Sequence, residues 1–286
     1  MLTEFDSPHP DNLRSLVTPA SAELLYIHTM KVYSWNVYCY NKTPKKVCEF
    51  VERLDFDVLC LQEVTPDLLD CFKAMSYEIA YHTDVIRLYS PRKEELNYVV
   101  ILSKHPIKLR GTLQFPDIPF PLHTRFFVSV MGRFGWSLIT ERGSVYADVE
   151  VAGRRVRVFS THLTLWGPGN RAEEFRELMK YVDASMPTII GGDFNVIEHP
   201  GMKIINWILG APIHEAFPWY PERALFEERF RRYGFKNPHR DKITHKFSQS
   251  QLDHILITHD LSTKSAWVLP DLHGSDHYPV GVELYD

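Results

Sequence analysis

Asn36, Glu63, His162, Asp193, Asn195, Asp253, Asp276 and His277 are spread along most of the chain, yet each stands at the end or the start of a short apolar run. Asn36 closes KVYSWN, Glu63 closes DVLCLQE, His162 follows RRVRVFST, Asp193 and Asn195 follow TIIGG, Asp253 precedes HILIT, and Asp276-His277 precede YPVGVEL. Strand ends gathered at one rim of a sheet carry reactive groups on a rigid scaffold.

Such a set can meet the three needs of phosphate-ester hydrolysis. A hard cation such as Mg²⁺ takes oxygen ligands and keeps several waters, so one or two carboxylates and an amide oxygen suffice; Glu63, Asp276 and Asn36 suit that part. The attacking water must lose a proton to a group within hydrogen-bond reach, and Asp193 and His277 are the candidates. Charge growing on the non-bridging oxygens needs donors already in place, which Asn195 and His162 can supply. Asp253 would then hold His277 in one tautomer. Taken singly, each residue has a plainer reading, because strand-end Asn and Asp usually form turns and a lone histidine is more often structural. Their joint occurrence carries the argument. His9, His82, His105 and His245 are read as surface or loop residues.

The elements that must position this set alternate between short strands and amphipathic helices. Strands are expected at Lys31 to Val37, Asp57 to Glu63, Tyr98 to Leu102, Thr188 to Gly192, His254 to Thr258 and Pro279 to Leu284. Ser144 to Val151 and Arg155 to Thr161 alternate apolar with polar residues, which predicts two half-buried antiparallel strands joined at Gly153. Thr43-Pro44 and Thr65-Pro66 each read as an N-cap followed by proline at the first helical position. Val47, Phe50, Val51 and Leu54 then form a helical stripe. Asn170 with Glu173 reads as a capping box before a second stripe of Phe175, Leu178, Met179 and Val182. Helices with both pairing types point to stacked sheets in one domain from residue 30 to 286. Residues 1–29, polar and broken by Pro8, Pro10 and Pro19, read as an N-terminal extension.

The 286 residues are 44% hydrophobic and 24% charged, enough for a sizeable core. A net charge of -4 excludes a global positive field for holding nucleic acid, so an anionic substrate must be met locally. The four cysteines, Cys39, Cys48, Cys60 and Cys71, lack metal-type or dense secreted spacing and are read as reduced thiols. With no apolar run of membrane-spanning length and no leader pattern, a cytoplasmic monomer is expected.

In order, SWNV (34–37), LQEV (61–64), STHL (160–163), GGDFNV (191–196), LDHIL (252–256) and GSDHYPV (274–280) resemble the endonuclease/exonuclease/phosphatase superfamily with its pancreatic deoxyribonuclease-like fold. The resemblance implies an α/β (α+β) four-layer sandwich, two mixed β-sheets face to face flanked by helices, cutting phosphate esters with Mg²⁺ or Mn²⁺. It implies that Asn36, Glu63 and Asp276 surround the metal, that Asp193, Asn195 and His277 surround the water and phosphate, and that Asp253 lies behind the histidine. The implied partner is a phosphate-ester substrate, with nucleic acid and a lipid headgroup both open. A phosphodiesterase or nuclease-type enzyme is expected first, and a sphingomyelinase-like or inositol-phosphatase-like phosphoesterase is the alternative. After STHL the similar lipid enzymes carry an arginine and a glutamine three apart, where this chain has Arg171 and Glu174. Two further stretches bear on specificity: the aromatic segment 114–136, with Phe115, Phe120, Phe126, Phe127, Phe134 and Trp136, and the basic segment Arg223 to Lys246.

Overall fold

The computed structural model describes residues 29–89, 93–118, 121–131, 139–199, 203, 207–208 and 211–285. The N-terminal extension, apart from Thr29, lies outside them. The strands are β1 (Thr29–Asn36), β2 (Val58–Val64), β3 (Glu78–Tyr89), β4 (Lys93–Ser103), β5 (Ile107–Gln114), β6 (Ile139–Val151), β7 (Arg154–His162), β8 (Thr188–Asp193), β9 (Phe235–Lys236), β10 (Asp253–Thr258), β11 (Ser262–Val268) and β12 (Val280–Tyr285). The helices of eight residues or more among the described residues are α1 (Pro44–Arg53), α2 (Pro66–Lys73), α3 (Leu122–Met131), α4 (Pro168–Met179) and α5 (Glu222–Arg232).

Two mixed six-stranded sheets result. One runs β11-β12-β1-β2-β4-β3 and the other β5-β6-β7-β8-β10-β9, joined where β3 meets β6 at Val85 and Arg142. In each sheet one central pair is parallel, β1 with β2 and β7 with β8. The strand residues alternate between two faces, and in the central strands β1, β2, β8 and β10 both faces are buried. Val32, Val58, Cys60, Val99 and Ile101 face Val145, Val158, Ile189 and Ile255 between the sheets. On the outer side, Trp35, Leu59 and Leu61 pack on Val47 and Val51 of α1 and on Leu68 and Phe72 of α2. Phe159, Ile190 and Leu256 pack on Phe175 and Leu178 of α4 and on Phe226 and Phe230 of α5. The order helix, sheet, sheet, helix is the four-layer sandwich expected. The sheets approach closely at Gly191, where a Cβ would lie 2.9 Å from Cys60 and 3.3 Å from Ser34.

Several local expectations need correction. Thr65 caps α2 through its side chain, but Thr43 makes no such bond to α1 because its hydroxyl turns to Asn41 and to the His273 carbonyl. The Asn170–Glu173 capping box does not form: α4 begins at Pro168 after Gly167, and the Asn170 amide donates to the Trp166 carbonyl. Cys48 and Cys71, expected as thiols, are joined in a disulfide across the packed α1 and α2. Cys39 and Cys60 take no part in this disulfide, and burial pushes the Cys60 thiol up to about 12.

His239 ties the last turn of the second sheet region to the first sheet, its Nε2 facing the Trp267 and Gly281 carbonyls at 3.1 and 2.9 Å. Burial, with Lys242 nearby, lowers its pKa from 6.5 to about 4. The unfolded chain therefore binds this proton first as pH falls, so the contribution of the neutral ring is whole above pH 6.5 and is lost toward pH 4. The window corresponds to about 3 kcal/mol at most. Urea unfolding between those pH values should show a shallower loss of stability in His239→Gln than in the wild type; equal slopes would contradict this origin.

Candidate active site

Register places the core of the site. His162 pairs with Asp193 across β7 and β8, and Asp193 pairs with Asp253 across β8 and β10, so the three residues stand side by side on one sheet face. Asn36 ends β1 on the facing sheet. Glu63 sits where the β2–β4 pairing slips, with φ 55°. Such a bulge re-aims a side chain at a sheet rim. Asn195 also has positive φ, 51°, which its short polar side chain tolerates, and its N–H donates to Asp193 Oδ1 at 2.9 Å. The loop bearing Asp276 and His277 is pinned to β1: Ser275 Oγ donates to the Asn36 carbonyl at 2.7 Å and accepts from the His277 N–H, and Trp35 Nε1 donates to the His277 carbonyl.

All eight residues singled out from the sequence meet at this rim. His277 Nδ1 lies 2.8 Å from Asp253 Oδ2. A second dyad faces it, His162 Nδ1 lying 2.7 Å from Asp84 Oδ2. Asp193 Oδ2 is 3.7 Å from Nε2 of each ring. Burial would lower the pKa of both imidazoles, but the carboxylates outweigh it. Asp253 and Asp193 raise His277 to about 10, and Asp84, Asp193 and Glu63 raise His162 to about 9. Burial raises the Asp253 pKa, against the pull of His277. Asn195 Nδ2 gives one hydrogen to the Leu163 carbonyl at 2.8 Å and faces His162 Nε2 at 3.1 Å. The amide so placed favours the neutral ring, whereas the Asp84 and Asp193 carboxylates favour the charged one.

Asp84 escaped the sequence reading. The one signal was the alternation in EIAYHTD, which marks a strand; the side chain is aimed by a bulge, since Thr83 pairs with Tyr98 and Val85 with Asn97, leaving Asp84 as the extra residue. His245, read as a surface or loop residue, is instead buried at the site, its Nε2 lying 3.5 Å from Asp276 Oδ2. His105 does lie at the surface, paired with Asp57.

Asn36 Oδ1 accepts the Tyr38 N–H, and its Nδ2 faces Asp193 Oδ2 at 3.0 Å and Glu63 Oε1 at 3.3 Å. In this arrangement it bridges two carboxylates as a donor. Glu63 Oε2 accepts the Cys39 N–H. Asp276 Oδ1 is buried with no hydrogen-bond partner, and His245, Asp276 and His277 each offer a ligand atom within 4.8 Å of the others, as do Asp193, Asp253 and His277. Asp84 Oδ1 and Asp253 Oδ1 are likewise buried without a partner, and such a concentration of unpaired carboxylate oxygens fits a hard divalent cation.

Glu174 accepts the Thr164 N–H at 2.7 Å and pairs with buried Arg142, which also donates to the His162 carbonyl. Glutamate there is matched by a cation that the sequence reading did not single out. Arg171 pairs with Glu222 at 2.6 Å. In the basic segment, Arg223 is bonded to Glu198 and the Gln251 carbonyl, Arg231 and Arg232 to Glu228, and Lys236 and Lys242 to main-chain carbonyls. Of the aromatic segment, Phe115 is core and Phe126 is 73% exposed. Phe120, Phe134, Trp136 and the side chain of Phe127 lie outside the description.

A family model described as Endonuclease/Exonuclease/phosphatase family matches residues 33–277. Among solved structures, an endonuclease/exonuclease/phosphatase from Beutenbergia cavernae aligns with TM-score 0.63 at 19% identity, covering 90% of this chain and 71% of that one. A mannosyl-6-phosphatase from Bacteroides thetaiotaomicron gives 0.55 at 19%, covering 90% and 100%. The human Nocturnin catalytic domain with bound sulfate gives 0.59 at 16%, covering 90% and 93%. At these identities the likeness is one of fold. No curated protein sequence matches the chain.

Proposed function

This chain belongs to the endonuclease/exonuclease/phosphatase family, and from that premise we propose that it is a Mg²⁺- or Mn²⁺-dependent phosphodiesterase of the nuclease type. The observation that carries the reading is the convergence of two carboxylate-backed imidazoles on Asp193 Oδ2, each at 3.7 Å. Glu63 and Asp276 would hold the cation, with Asn36 beside them. Once bound, such an ion supplies electrostatic stabilisation of the phosphoryl oxygens. Asp193 takes the proton of the attacking water, because His277 Nδ1 is held by Asp253 at 2.8 Å and its Nε2 faces Asp193 Oδ2 as a donor. His277 and His162 then donate to the phosphoryl oxygens, and Asn195 adds its amide N–H. Asp253 and Asp84 keep the two rings aligned and offset their charge.

A second reading, a lipid or sugar-phosphate phosphoesterase, has its own support: in the basic segment 223–246 Arg223 and Lys242 are bonded to main-chain carbonyls of the protein itself, and a net charge of -4 supplies no global positive field for a polynucleotide backbone. No helix among the described residues is long and apolar enough to cross a membrane. A cytoplasmic location, expected from the sequence, is part of this proposal. A monomer remains the working state. Assay with Mg²⁺ and Mn²⁺ on supercoiled DNA, single-stranded RNA, sphingomyelin, inositol phosphates and a chromogenic phosphodiester decides between the readings. Cleavage of nucleic acid or the simple diester supports the first, turnover confined to the lipid or sugar phosphates supports the second, and inactivity on all of them contradicts both.

A further inference from the structure

We propose that His245 is a substrate-contacting residue, whose Nε2–H donates to a non-bridging oxygen of the phosphate; this rests on the phosphoesterase reading above and adds to it a third imidazole with a binding role only.

The segment that carries His245 is clamped to the site from both sides. The Lys246 N–H donates to the Asp276 carbonyl at 3.1 Å and the Tyr278 N–H to the Thr244 carbonyl at 2.8 Å, bridging residue 245 to His277. Thr244 Oγ1 accepts the N–H groups of Leu252 and Asp253, both at 2.9 Å, which fixes the same segment to the start of β10. The ring therefore moves with both halves of the His277–Asp253 pair.

Its tautomer follows from its partners. The Ser248 backbone N–H lies 3.0 Å from His245 Nδ1, and a backbone N–H can only donate, so Nδ1 presents its lone pair and the ring proton sits on Nε2. Ser248 Oγ, at 2.8 Å, donates to the same atom. A protonated Nε2 has no lone pair for a cation, so this ring is not a metal ligand even though its atoms lie within 4.8 Å of those of Asp276 and His277. Nor is it backed by a carboxylate as His162 and His277 are. What remains is a fixed donor. The carboxylate facing it, Asp276 Oδ2, stands at 3.5 Å, the outer limit of a hydrogen bond, so a phosphate oxygen seated beside Asp276 and His277 would be the better acceptor. The ring centre lies 4.6 Å from that of His277, close enough for both imidazoles to reach one phosphoryl group.

The test uses the full chain and two variants. His245→Asn keeps an oxygen for the Ser248 N–H and removes the Nε2–H; His245→Ala removes both, and either one that retains the wild-type circular dichroism gives the reading. Two dissociation constants are measured, for Mn²⁺ alone and for inorganic phosphate in the presence of saturating Mg²⁺. A hydrogen bond to a charged oxygen predicts phosphate binding weaker by about 10- to 100-fold, with Mn²⁺ binding within about twofold of wild type as the expectation for a residue that is not a ligand. Unchanged phosphate affinity overturns the assignment, and so does a parallel loss of Mn²⁺ binding, which would make His245 a ligand. A wild type that binds neither probe removes the phosphoesterase reading and this inference together.

Discussion

Replacing His277 with alanine should lower turnover by about 10² to 10³, the usual worth of a preorganised donor to developing charge, while Asp253→Asn costs somewhat less and the double variant costs no more than His277→Ala alone. Asp253 is fully buried, reaches His277 Nδ1 at 2.8 Å, and is the first of the carboxylates that lift the imidazole to about 10. Without the ring it has nothing left to orient, so the two losses should not add. A double-mutant cycle on a hydrolysed phosphate ester, with each variant checked by circular dichroism, measures this. Losses that multiply in folded variants would show that the two residues act independently, and Asp253 would pass to metal or substrate binding.

Much of this site was legible because its residues follow or precede apolar runs, and the register of β7, β8 and β10 converts those sequence positions into neighbours. What was not legible is instructive. Asp84 depends on a bulge, and one extra residue in β3 decides whether its side chain meets His162 or not. His245 depends on a short loop held by Ser248, Ser250 and an isolated bridge to His277, contacts between residues that no periodicity announces. The strands β3, β5 and β11 were unseen because they carry many polar or exposed positions; β11 has no fully buried residue. Thr43 shows the limit of a cap motif, since its hydroxyl had better partners in Asn41 and His273. The Cys48–Cys71 disulfide follows from α1 packing on α2, which a spacing of 23 residues does not reveal.

The cation carries the largest expected effect of all. Glu63, Asp193 and Asp276 bring carboxylates to one rim, Asp276 Oδ1 is buried without a partner, and the imidazoles facing Asp193 are better placed to donate to a phosphate than to replace a metal. Oxygen ligands hold such an ion exchangeably, with waters retained, so dialysis against chelator should remove it. Glu63→Gln is isosteric and removes one charge; its oxygens are held by Asn36 and the Cys39 N–H, so the chain should remain folded while the metal titration moves to higher concentration.

The most direct measurement is a Mg²⁺ titration of chromogenic phosphodiester hydrolysis by chelator-treated, dialysed protein, run on wild type and Glu63→Gln in parallel. We expect no turnover in the metal-free protein, saturable recovery on adding Mg²⁺ or Mn²⁺, and a weaker apparent metal affinity for Glu63→Gln. Full turnover of the metal-free wild type, or superimposable titrations of the two proteins, would contradict a cation held at Glu63.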